Sequence, residues 1–108
     1  MRGVGLIVLA GLSLAAAPGY ALDERAADAL VKASNCLNCH SLTRAKEGPS
    51  FKETAAKYKG NPEAQAILTK QITTGPVVKV DGKDEKHGVV KSTDAAEISN
   101  LVQWILSR

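Results

Sequence analysis

Cys36 and Cys39 are the only cysteines of this 108-residue chain, and His40 follows the second one directly. Cys-x-x-Cys-His is the pattern of c-type haem attachment. Two thiols at this spacing can both reach the vinyl groups on one edge of a porphyrin and form thioethers. The adjacent imidazole then projects beneath the ring, where a neutral nitrogen is a good iron ligand. Other chemistries use the same residue types. A thioredoxin-like redox pair needs a βαβ setting, which the helical periodicity described below does not provide. A zinc site could draw on Cys36, Cys39, His40 and His87, but Cys39 and His40, being adjacent, close a tetrahedron awkwardly. A chance occurrence in a loop is the remaining alternative, and an export signal upstream weighs against it.

That signal occupies the N-terminus. Met1-Arg2 is a positive start, Gly3 to Ala17 is uncharged and largely apolar, Pro18 breaks the run, and Gly19-Tyr20-Ala21 offers small residues at −3 and −1. This layout predicts a secretory signal peptide over 1–21, cleaved after Ala21, with a domain at 22–108 exported to the periplasm. An uncleaved anchor is the alternative, although the run is shorter than the ~20 residues that span a bilayer. No later segment is long and apolar enough to cross a membrane. Two cysteines in an oxidising compartment ordinarily suggest a disulfide, yet so short a loop restricts the unfolded chain little. A domain this small has a modest core, and a bound cofactor is the candidate staple.

The elements that must position these residues read as helices. Asp23 to Ala33 carries Ala26, Ala29, Leu30 and Ala33 at i, i+3, i+4, i+7, which predicts one buried helix face. Lys46 to Ser50 reads as a loop. Phe51, Ala55 and Tyr58 mark a short second helix. Asn61-Pro62 predicts a capping residue followed by Pro at the first position of a third helix. Its inward face is Ala64, Ile67, Leu68 and Ile72, and it stops at Gly75-Pro76. A last helix starts near Thr93-Asp94, where Asp94 and Glu97 have capping-box spacing; Ile98, Leu101, Val102 and Ile105 form its face, with Trp104 beside them. Val77 to Val80 fits a short strand and Asp81-Gly82 a hairpin turn. The stretch from Gly82 to Gly88 is polar and unperiodic, so 75–93 is expected to be an irregular loop, a feature often functional in a small domain. It contains His87.

The Cys36–His40 motif behind a first helix, the stretch GPSFKETAAKYKG at 48–60 and the closing LVQWIL at 101–106 together resemble the small bacterial class I c-type cytochromes. The resemblance covers nearly all of 22–108. It implies an all-α class I fold of about four helices, the first and last crossing, around one covalent haem c. It also implies that the Pro49 carbonyl accepts a hydrogen bond from His40, the proximal iron ligand. The chain departs from the family where an axial Met belongs, between the third helix and the last. Its only methionine is Met1, which leaves with the signal peptide. His87 stands near that place and is the expected sixth ligand; Lys79, Lys83, Lys86, Lys91 or an open site are the alternatives.

Lys and Arg number 14 against 11 Asp and Glu, a net charge of +3. Lys46, Lys52, Lys57, Lys59, Lys79, Lys83, Lys86 and Lys91 lie in segments expected to border the haem. A basic rim could steer an acidic redox partner, whereas the interspersed acids read equally as a solvated surface. No basic-aromatic pattern points to nucleic acid. The expected function is a monomeric, non-enzymatic one-electron carrier with bis-His ligation that serves redox partner proteins. The alternative is a haem protein that binds or senses a small ligand when His87 moves aside, since the flanking Gly88 permits hinge-like freedom.

Overall fold

The computed structural model describes residues 21–108 and the isolated positions Gly3, Gly5, Ala10 and Gly11. The leader read over 1–21, Met1 included, otherwise lies outside the described residues. Four helices follow: α1 (Glu24–Ala33), α2 (Phe51–Tyr58), α3 (Ala64–Thr74) and α4 (Ala95–Leu106). Strands β1 (Val77–Val80) and β2 (Lys83–Lys86) lie between α3 and α4, and a single 3₁₀ turn covers Cys36–Asn38.

Asp23 starts α1 by accepting the Ala26 N–H on its side chain at 3.0 Å, with Glu24 in the first turn and Lys32 in the last, where each suits the helix dipole. Its buried residues are Ala27 and Val31, each 1 % exposed, while Ala26 and Ala29 face solvent. The expected face is therefore off by one residue. Ala26-Ala29-Leu30-Ala33 has helical spacing but is mostly methyl groups. Ala27-Leu30-Val31-Ser34 has the same spacing, keeps Leu30 and adds the larger Val31, so it buries more apolar area.

Ala27 and Val31 join Leu101, Val102, Trp104 and Ile105 of α4 in one core, so the first and last helices cross as the resemblance implied. Asn100 ties that crossing together. Its side-chain oxygen accepts the Asp23 N–H at 2.9 Å, and its amide donates to the Asp23 carbonyl at 2.8 Å. Arg108 pairs with Glu24 at 2.8 Å and lies 4.4 Å over the Trp104 ring. Ala27→Leu should destabilise the protein by about 1–3 kcal/mol through overpacking. Ala29→Leu should stay within about 0.5 kcal/mol of the parent, as surface changes do. Thermal unfolding of the two variants checks both.

Ser50 and Glu53 form a reciprocal capping box at the start of α2, with bonds of 3.0 and 3.1 Å, and Ser50 is fully buried. On α3, Asn61 accepts the Glu63 N–H at 2.8 Å, but a turn at 62–63 intervenes and the helix proper starts at Ala64, later than Pro62 predicted. Asp94 accepts the Glu97 N–H at 2.9 Å. Glu97 does not close the expected box; its carboxylate accepts from Ser92 instead, and the Ser92 hydroxyl takes the Asp94 N–H.

The segment 75–93 is more regular than expected. Asp81 (φ 50°) and Gly82 (φ 76°) form a two-residue turn with both residues left-handed, the geometry that matches the twist of a hairpin. It joins β1 to β2 in antiparallel register, Val80 opposite Lys83 and Val77 opposite Lys86. β2 is Lys-Asp-Glu-Lys with every residue exposed. A strand with no apolar residue shows no alternation, and only the turn betrays it.

Candidate functional site

A cavity of about 520 Å³ opens between the Cys36–His40 segment, α2, α3 and the hairpin. Leu68, Ile72, Leu101 and Ile105 line it from the core side, and Val78 and Val80 from β1. Ile67 and Val89 are 41 % and 47 % exposed, yet both line this cavity. Ile67 was expected inside the core; its open face turns toward the cavity instead. Apolar side chains held open around a concave space fit a large apolar ligand.

Asn35, in the left-handed region at φ 57°, turns the chain out of α1 and into the 3₁₀ turn, a conformation asparagine tolerates. The His40 N–H then donates to the Cys36 carbonyl at 3.0 Å. The His40 ring stacks on Phe51 with centroids 5.4 Å apart, and Phe51 meets Trp104 edge-on at 5.5 Å. His40 Nδ1 lies 2.6 Å from the Pro49 carbonyl oxygen. With Nδ1–H donating there, Nε2 is left as the ligating nitrogen. Gly48 makes room for the ring: a Cβ on it would stand 2.6 Å from His40 Cε1 and 2.9 Å from Nδ1. The Gly48 N–H donates to the Cys39 carbonyl at 2.8 Å, closing the loop back on the motif.

Cys36 and Cys39 form no disulfide. Burial pushes the Cys36 thiol up in pKa, and a hydrogen bond from Cys39 Sγ to Glu47 at 3.3 Å, aided by desolvation, pushes Cys39 up. Among the described residues the element order has no βαβ unit, the setting that a thioredoxin-like redox pair needs. Among the described residues no group of three or more His, Cys, Asp or Glu side chains is arranged to hold a metal ion. Two thiols, one oriented imidazole and an apolar cavity form a donor set that fits a covalent haem.

His87 enters from the opposite side. By the hairpin register Val78, Val80 and Glu85 share one face with the next alternate residue, His87, and all four line the cavity. Its ring centroid is 6.0 Å from that of His40, with the planes inclined by 50°. His87 Nδ1 is 2.7 Å from the Gly88 carbonyl oxygen, again leaving Nε2 for a ligand.

The lysines divide. Lys57, Lys79 and Lys86 line the cavity, alongside Glu47, Glu53 and Glu85, so the rim carries both signs. Lys52 and Lys59 do not border it; they line a separate surface groove together with Ala64, Leu106 and Arg108. Lys79 pairs with Asp84, and Lys46 donates to the Leu37 carbonyl. Three roles go beyond what the sequence implies: Phe51 as the stacking partner of His40, Glu47 against Cys39, and Gly75 behind His87. A second Gly-Pro dipeptide, Gly75-Pro76, was the available signal for the last.

The sequence pattern of the family described as cytochrome c matches residues 18–108. A cytochrome c-551 of Allochromatium vinosum is 38 % identical over 71 % of this chain and 80 % of its own length. A cytochrome c-551 of Pseudomonas aeruginosa is 32 % identical over 95 % of this chain and 93 % of its own. Among solved structures, the class 1 cytochrome MtoD of Sideroxydans lithotrophicus superimposes with a TM-score of 0.76 at 40 % identity, covering 81 % of this chain and 97 % of that one.

Proposed function

The chain belongs to the cytochrome c family, and from that we propose that it is an exported, periplasmic, non-enzymatic electron carrier whose haem iron is held between His40 and His87. Its fold is the class I cytochrome c fold, its cofactor is one covalent haem c, and it acts as a monohaem electron carrier with redox partners. When bound, the haem supplies a one-electron couple between Fe(III) and Fe(II).

In this reading Cys36 and Cys39 would attach the haem through thioethers, and His40 would hold its iron. The Pro49 carbonyl holds the His40 tautomer and raises the basicity of its ligating nitrogen. His87 would hold the iron from across the cavity, with the Gly88 carbonyl doing for its Nδ1–H what Pro49 does for that of His40. One observation carries the distal assignment: the 6.0 Å between the two ring centroids. Two imidazoles on opposite sides of one metal ion, each with a metal–nitrogen bond of about 2 Å, put their centroids about 6 Å apart. The Lys79 amine is engaged by Asp84, which supports His87 over that lysine. The segment after His87 is tied down at Val90, whose N–H donates to the Ile72 carbonyl, and at Lys91, whose N–H donates to the Ser34 hydroxyl. Such anchoring favours a carrier over a sensor whose distal ligand swings away. The N-terminal pattern over 1–21 supports export.

Attachment is tested on the purified protein by acid-acetone extraction followed by intact mass. The polypeptide should retain one haem, and its mass should be that of a chain beginning at Leu22 plus one haem. Haem that extracts freely would overturn the thioether assignment, and a retained leader would overturn export by cleavage.

A further inference from the structure

The described residues contain two Gly-Pro dipeptides, and each touches one of the two histidines. Gly48-Pro49 holds His40 by its ring. Gly75-Pro76 holds His87 by its main chain: the His87 N–H donates to the Pro76 carbonyl at 2.9 Å, and the His87 carbonyl oxygen would stand 2.7 Å from a Cβ on Gly75. We propose that Gly75-Pro76 is a backbone clamp for the distal ligand, with Gly75 as the positioning residue that keeps the His87 imidazole opposite His40. The proposal rests on the reading that both histidines ligate the iron.

Gly75 ends α3 in the left-handed region at φ 61°, ψ 58°, which glycine adopts freely. The contact behind it is a second, independent demand. A flexible side chain could move aside for a methyl group, but the nearest atom is backbone, and the Val89 Cγ2 and Lys86 Cε atoms follow at 3.0 Å. Pro76 contributes by what it lacks. Its missing N–H makes the rung to His87 one-sided, so the hairpin ladder ends there and the chain is released toward Val90. Val90 is fixed in turn by its bond to the Ile72 carbonyl at 2.8 Å. His87 is thus strung between two main-chain anchors at the end of α3, on the cavity side of the strand alternation. A ligand must be held within about 0.5 Å of its working position, and a methyl on Gly75 forces the two backbones apart.

The test uses holoprotein and three substitutions. Gly75→Ala adds a methyl and left-handed strain; Gly75→Asn adds a Cβ on a residue that tolerates this region. Gly60→Ala is the control, because Gly60 is also left-handed (φ 75°) but a Cβ there meets nothing within 4 Å. Both Gly75 variants should gain a high-spin ferric fraction, restored to low spin by added free imidazole. Once reduced, they should bind carbon monoxide about 10-fold faster than the parent, in proportion to the ligand-off population. Gly60→Ala should lower the melting temperature and leave spin state and carbon monoxide rate alone. Folded Gly75 variants with the parent's spectrum and rate would overturn the clamp, as would a spectral change in Gly60→Ala equal to theirs.

If the Gly75 variants yield no holoprotein, amide exchange of the parent decides: the His87 amide should be protected like that of Val90, and exchange as fast as at Gly82 would overturn the proposal. His87→Ala separates the two levels. A low-spin His87→Ala protein removes the ligation reading and the clamp together. A high-spin His87→Ala protein beside Gly75 variants that behave like the parent removes the clamp alone.

Discussion

Replacing His87 with Ala should convert a low-spin ferric haem to a high-spin one that binds carbon monoxide rapidly on reduction. His87 faces His40 across the cavity at 6.0 Å between ring centroids, with its Nδ1 directed at the Gly88 carbonyl. Under His87 ligation, carbon monoxide would have to wait for a minor ligand-off state in the parent. Such states hold about 0.1–10 % of the population, so the Ala variant should bind on the order of 10- to 1,000-fold faster. His87→Met places a thioether at the same position and should raise the reduction potential, because Met/His ligation favours Fe(II). By the same reasoning the parent should sit well below Met-ligated relatives. Stopped-flow mixing and a redox titration check both. An unchanged low-spin spectrum in His87→Ala would assign the sixth position to another group, Lys86 being a lysine that also lines the cavity.

Gly48→Ala should be nearly as disruptive from the other side. The added Cβ would lie 2.6 Å from His40 Cε1 and 2.9 Å from Nδ1, too close for any real contact. Either the ring leaves the Pro49 carbonyl or the start of α2, held by the buried Ser50 box, shifts. Overpacking of this kind costs about 1–3 kcal/mol, and a domain of this size loses about 4–8 °C in melting temperature per kcal/mol. Weakening the Nδ1–H bond lowers the basicity of His40, which stabilises Fe(III) less and raises the potential. Melting and redox titration of the variant would therefore move in opposite directions. If neither moves, the His40 ring is not seated against Gly48.

The parts of the fold that were legible in sequence are those where one strong constraint acts alone. The Cys36–His40 spacing is dictated by covalent chemistry and needs no tertiary context. The face of α4, with Ile98, Leu101, Val102 and Ile105, is apolar enough that only one register can be inside. On α1 two registers have equal spacing, and only the extra bulk of Val31 chooses between them. Strand β2 is invisible to periodicity because Lys-Asp-Glu-Lys is exposed on both sides. Ile67 was assigned to the core because hydropathy cannot tell a side chain packed against protein from one turned toward a cavity. The role of Gly75 depends on a contact with His87, twelve residues away along the chain, that only the hairpin register creates.

The most direct measurement is the optical spectrum of the purified protein, ferric and ferrous, with and without carbon monoxide. Ligation by His40 and His87 predicts low-spin spectra in both oxidation states, no sulfur-to-iron charge-transfer band in the ferric form, and only slow binding of carbon monoxide. A high-spin ferric spectrum with immediate carbon monoxide binding would contradict it and place an open sixth position where His87 is assigned.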